Sequence, residues 1–142
     1  MIWKLLLAWS LMALCVAIHA MGVTAALRWW GRRSPNGYWS WTSTLVLVAG
    51  WMILLHLIEI MTWGVAYAAA SAMPDLQTAA YFSAVTYTTT GYGDLTLPED
   101  WRLVGGVEAL TGILMCGLST GFFVAIVARM LQSTKQESRS RS

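Results

Sequence analysis

Thr88-Thr89-Thr90-Gly91-Tyr92-Gly93-Asp94 decides how this chain is read. Two glycines alternate with larger residues. Successive backbone carbonyls can all be turned toward one axis only if some residues take φ > 0. Glycine does so without steric cost, so Gly91 and Gly93 stand where that turn would be made. A Gly-x-Gly pair alone is weak, and Thr-Gly-Tyr-Gly-Asp also fits a turn in a strand-rich protein. The flanking sequence has to choose.

Composition sets the frame. Of 142 residues 57% are hydrophobic and only 11% are charged, with mean hydropathy +0.57. A soluble domain carries roughly a quarter charged residues, so the chain reads as one integral membrane domain. Its 9 tryptophans suit membrane–water interfaces. A net charge of +2 gives no case for a nucleic-acid partner. Cys15 and Cys116 lie in apolar runs without metal-ligand spacing and read as small buried hydrophobes. His19 and His56 look isolated. His56 and Glu59 are three apart and share a helix face, but the sequence shows no third ligand, so a packed polar pair is the reading.

Around the glycine stretch, three segments are apolar enough to span a bilayer, which takes about 20 residues. The first runs from about Trp3 to Leu27. A rival reading of it is a cleaved signal peptide, with Lys4 before the apolar run and small residues near Ala20. Charge opposes cleavage, because it would put Arg28, Arg32 and Arg33 outside. The connector from Arg28 to Trp41 holds those three arginines and no acid, which marks a cytoplasmic loop. Within it Ser34-Pro35-Asn36-Gly37 reads as a tight turn. The second span runs from about Thr42 to Ala70 and contains Glu59, an acid that must face protein or water rather than lipid.

Pro74-Asp75 then signals a helix start. A short helix from about Asp75 to Thr88, too short to span, leads into the glycine stretch. The third span runs from about Leu103 to Leu131 and carries five glycines, which let helices approach closely. The end, from Arg129 to Ser142, is basic and serine-rich and reads as a disordered tail that lipid headgroups could attract. The charges predict the N-terminus outside, the first loop inside, the glycine stretch outside and the C-terminus inside, in a plasma membrane (an inner membrane in a bacterium).

With this context the stretch resembles the selectivity filter of the potassium channel family, whose usual form is Thr-Val-Gly-Tyr-Gly-Asp. The resemblance to small prokaryotic-type members covers roughly residues 42–131. It implies an all-α membrane fold of outer helix, re-entrant pore helix with filter, and inner helix, assembled as a homotetramer. Residues 1–41 add a peripheral helix and its connector; 132–142 form the tail. The resemblance makes Thr89, Thr90, Gly91, Tyr92 and Gly93 the potassium-coordinating filter, lined by backbone carbonyls. It places the Thr89 hydroxyl at the inner mouth, wedges Tyr92 against the pore helix, and puts Asp94 at the outer mouth. It offers Gly112 as a gating hinge, with Gly117 a second bending point; the other reading of Gly112 is a packing contact. Potassium is the permeant ion, and no cofactor or other metal is implied.

Three departures stand out. Thr90 replaces the usual Val or Ile, and its hydroxyl can rewire bonds behind the filter, which opens a weakly selective cation channel as an alternative. Val85 stands where several relatives have a bracing Glu, so Glu59 or Glu108 is expected to substitute, paired with Thr86, Thr88 or Tyr92. Phe82 stands where many relatives have a Trp that bonds the filter tyrosine, and it has no donor. No helix carries regularly spaced Arg or Lys, so no voltage sensor is expected. A non-conducting subunit that modulates another complex is the second class of function. No catalytic set lies on one face, so an enzyme is not expected.

Overall fold

Four α-helices and one 3-10 turn make up the computed structural model, which describes residues 2–30 and 38–140, with side chains for 2–29 and 39–132. The helices are α1 (Ile2–Trp30), α2 (Tyr38–Ala69), α3 (Leu76–Tyr87) and α4 (Arg102–Ser140); the turn, Glu99–Trp101, leads directly into α4. The turn expected at 34–37, with Arg32 and Arg33, lies outside the described residues. Three helices are long and apolar enough to cross a membrane, Ile2–Trp29, Trp39–Ala69 and Glu99–Gln132. In lipid a spanning backbone must satisfy its own hydrogen bonds, which a helix does within one segment. Leu6, Val46, Leu57 and Leu110 remain exposed along these helices, as lipid-facing side chains should be.

The fold is therefore an all-α membrane protein with an additional N-terminal helix. α1 is not a loose appendage. Lys4, Ala8, Cys15, His19, Gly22 and Ala26 are buried and recur at helical spacing on one face of α1. Much of this stripe is small, so α1 lies close against α2 and α4. At its N-terminal end Lys4 pairs with Asp100, and its ammonium lies 4.6 Å from the Trp101 ring centroid. The start of α1 and the residues just after the glycine stretch therefore share one end of the molecule.

α2 ends in a Schellman motif: Ala72 N–H donates to Tyr67 O at 2.9 Å and Ser71 N–H to Ala68 O at 3.1 Å. Ser71 takes the left-handed position at φ 55, where glycine is usual. Replacing Ser71 with glycine is expected to stabilise the protein by roughly 0.5–1 kcal/mol, read as a raised midpoint of thermal unfolding in detergent. Asp75 then caps α3, accepting from the Thr78 N–H and hydroxyl, both at 2.8 Å. These bonds hold its carboxyl below the usual carboxylate range. α3 has 12 residues, too few to span. Its ends match the sequence reading, because the Pro74-Asp75 start and the glycine stretch are both encoded locally.

One expectation is corrected. The tail read as disordered from residue 132 continues α4 as helix to Ser140. Residues 132–140 contain neither Gly nor Pro, and extending an existing helix avoids the cost of nucleating one.

Candidate functional site

The segment after α3 turns sharply. Thr88 caps the helix at φ −79, ψ 0. Thr90 N–H and Gly91 N–H both donate to Val85 O, at 2.9 and 3.2 Å, and Thr89 N–H donates to Thr86 O at 2.9 Å. Positive φ falls on alternate residues: Thr89 at 58, Gly91 at 53 and Gly93 at 80. The sequence predicts this at the two glycines, and both adopt it. Thr89 was missed, since a β-branched residue there is a genuine outlier costing about 1–3 kcal/mol. Alternation of backbone hand along a short strand is what brings successive carbonyls toward one side. Residues 88–94 are exposed in the single chain, and Tyr92 is 71% exposed. The tyrosine is therefore not wedged against its own pore helix; one chain leaves it uncovered.

Behind this segment the hydroxyls are ordered. Thr88 Oγ1 donates to Ala84 O at 2.7 Å and lies 2.9 Å from Thr90 Oγ1. A hydroxyl has one hydrogen, so Thr90 donates to Thr88. The extra hydroxyl of Thr90 is thus tied back to the end of α3. Beyond the glycines, Tyr81 on α3 donates to the Asp94 carboxylate at 2.8 Å. That bond holds the Tyr81 phenol above its ordinary pKa.

Glu59 and Glu108 are both fully buried. They do not pair with Thr86, Thr88 or Tyr92 as expected. Glu108 accepts from Tyr67 at 2.7 Å and from Ser83 at 2.5 Å. Glu59 accepts from the Tyr87 hydroxyl and contacts His19 Nδ1 at 2.9 Å. Ser83 and Tyr87 are four apart and lie on one face of α3. The two acids therefore hold the body of the pore helix at successive turns. Their reach is set by helix packing, which local sequence does not reveal. The sequence alone did not mark Tyr87 and Ser83. A hydroxyl at i and i+4 on the short helix was the available signal. Phe82, without a donor, packs edge-on against Tyr67 at 5.6 Å.

Removing the Glu108 carboxylate strands the buried Tyr67 hydroxyl, whereas Ser83 keeps an acceptor in Ile60 O. Glu108→Ala is expected to cost about 1–3 kcal/mol for the orphaned Tyr67 hydroxyl. Glu108→Gln should remain near wild type. Its carbonyl can accept from Tyr67 while its amide donates to Ser83, whose hydroxyl also has Ile60 O at 2.8 Å. Thermal unfolding of the three proteins in detergent checks this order.

The glycines of α4 differ. A Cβ on Gly112 would lie 1.9 Å from Tyr87 O, whereas nothing lies within 4 Å of a Cβ on Gly117. Of the two readings of Gly112, the geometry supplies packing: the inner helix passes directly against the end of α3 there. Gly117 has the free space a bending point needs.

The polar cluster around Glu59 is larger than the sequence indicated. His56 Nδ1 lies 3.4 Å from Glu59 Oε2, and His19 approaches from α1. These three could hold a metal ion, since one ligand atom from each lies within 4.8 Å of the others. The third ligand that the sequence does not reveal is His19, on the added helix, 40 residues from Glu59. Cys15 is buried as read, but Cys116 is exposed in the single chain.

A helix too short to span, held inside a pair of spanning helices and ending in an irregular segment of alternating backbone hand, defines a channel-type membrane protein. The chain belongs to the ion channel family, whose model matches residues 41–132, well over half its length. No curated protein and no solved structure matched the chain.

Proposed function

We propose that the protein is a potassium-selective channel that conducts passively across the plasma membrane as a homotetramer. The observation that carries this reading is the alternation of positive φ at Thr89, Gly91 and Gly93 at the end of a capped pore helix. Thr89, Thr90, Gly91, Tyr92 and Gly93 then supply the oxygens that replace the ion's water, and Asp94 stands at the mouth. One such strand cannot enclose an ion, and the chain has a single copy, so four chains are needed. The exposure of Tyr92 supports this, because a large aromatic left uncovered by its own chain is free to pack against a neighbouring one.

The dipole of α3 adds to the site. Its carbonyl end points toward the strand, and the negative end of a helix favours a cation. Glu59 and Glu108 act as scaffolding for that helix rather than as ligands of the permeant ion. Gly117 is the hinge candidate. The N-terminus lies outside with the filter mouth, and the C-terminus inside.

A second reading, a weakly selective cation channel, rests on Thr90. The hydrogen bond from Thr90 to Thr88 favours the selective reading, since it occupies the hydroxyl away from the strand's carbonyls. Uptake into liposomes holding purified protein tests both. Potassium uptake with little sodium uptake is expected, and Thr90→Val should keep that ratio within about threefold, because a single exposed hydrogen bond contributes about 0.5 kcal/mol. Equal uptake of the two ions, tightened by Thr90→Val, would establish the weakly selective reading. A protein that passes neither ion would support the modulating subunit.

A further inference from the structure

His19, His56, Glu59 and Ser119 form a closed ring inside the helix bundle. Glu59 faces the Nδ1 atoms of both imidazoles, at 2.9 Å for His19 and 3.4 Å for His56. Ser119 Oγ on α4 faces both Nε2 atoms, at 3.1 and 3.0 Å. Tyr87 donates to the same carboxylate. His19, Glu59 and Ser119 are buried, and the His56 side chain is 18% exposed, which gives the ring its opening.

The ring can distribute its protons in three ways. Each neutral imidazole carries one N–H. If both protons sit on Nδ1, both bond Glu59, but two Nε2 acceptors then compete for the single Ser119 hydrogen. If both sit on Nε2, Ser119 accepts both, but two Nδ1 lone pairs face a carboxylate with nothing positive between them. The mixed arrangement, one proton on His19 Nδ1 and one on His56 Nε2, lets Ser119 accept from His56 and donate to His19, and leaves only the His56 Nδ1 lone pair facing Glu59 at 3.4 Å. The arrangement with both protons on Nε2 turns two Nδ1 lone pairs and a carboxylate toward one place, as ligands of a divalent cation are turned.

We propose that His19, His56 and Glu59 bind a divalent transition-metal ion of the zinc type, and that this site staples the added helix α1 to the pore domain. The donor set, two imidazoles and one carboxylate, is one that zinc accepts. Metal–ligand bonds of about 2.0–2.1 Å in a tetrahedron put ligand atoms about 3.3 Å apart, and one ligand atom from each of the three residues already lies within 4.8 Å of the others. The Tyr87 hydroxyl, 3.4 Å from His56 Nδ1, flanks the fourth position. The outer partners also suit a metal: Ser119 accepts the Nε2–H of each ligand histidine and fixes its tautomer. The ion binds α1 and α2 directly and touches α4 and the end of α3 through Ser119 and Tyr87.

The site can be tested without any flux, so its fate is separable from that of the channel reading. Purified full-length protein is equilibrated with Zn2+, desalted, and its metal counted by mass spectrometry. About one zinc per chain is expected. Co2+ in its place should give the intense visible bands of a four-coordinate ion, a readout that needs no variant. Ser119→Ala should weaken binding about 10–100-fold, and His19→Gln with His56→Gln should abolish it. Absence of retained zinc and of the cobalt bands in the wild type would overturn the proposal. So would zinc retained at full stoichiometry by the double variant. A protein that conducts potassium but holds no zinc refutes the metal site alone.

Discussion

Gly91→Ala is expected to abolish potassium uptake while leaving the helices intact. Nothing lies within 4 Å of a Cβ placed there, so the loss will not come from a clash within the chain. It comes from the backbone. Gly91 sits at φ 53 with its N–H held by Val85 O at 3.2 Å. An L-residue pays about 1–2 kcal/mol for that hand, and the proposed ring repeats it in every chain. The cheapest relief is to rotate the 91 peptide, which turns a carbonyl off the axis. Uptake should fall at least tenfold with an unchanged helical circular dichroism signal. D-alanine at 91, introduced by semisynthesis, should restore uptake, because its stereochemistry prefers positive φ. Failure of D-alanine together with failure of L-alanine would point to volume rather than backbone.

Gly112→Ala is the second large effect, and its cause is the opposite. A Cβ there would lie 1.9 Å from Tyr87 O and 2.8 Å from Tyr87 C. Both are backbone atoms at the end of α3, so no side-chain rotation relieves the contact. Overpacking typically costs about 1–3 kcal/mol, and an unyielding backbone obstacle puts this site near the upper end. Alanine's better helix propensity returns only about 1 kcal/mol. Lower thermal stability in detergent and loss of uptake should appear together. Gly117→Ala, with open space around it, should leave stability unchanged or raised; altered uptake there at unchanged stability would mark it as the bending point. Full stability in Gly112→Ala would contradict the packing role.

How much of this was legible beforehand depends on whether the signal is local. The pore helix was readable at both ends because Asp75 caps its own helix and Gly91 and Gly93 declare their φ values. The spans were readable because apolar length is a property of one segment. Partners across helices were not. Glu59 and Glu108 were recognised as acids needing protein around them, but their contacts, Tyr87 with His19 and Tyr67 with Ser83, depend on how helices rotate against one another. α1 shows the same limit. Its role could not be drawn from order and length, and His19 looked isolated until α2 and α4 brought His56, Glu59 and Ser119 to it. Thr89 was missed for another reason: residue type argues against positive φ there, and the surrounding hydrogen bonds impose it.

Selective conduction is the central claim, and a reversal potential tests it most directly. Purified wild-type protein is placed in a planar bilayer with potassium on one side and an equal concentration of sodium on the other. The account predicts a current that reverses far from zero, toward the potassium equilibrium potential, and that disappears with Gly91→Ala. A wild-type current that reverses near zero would contradict it.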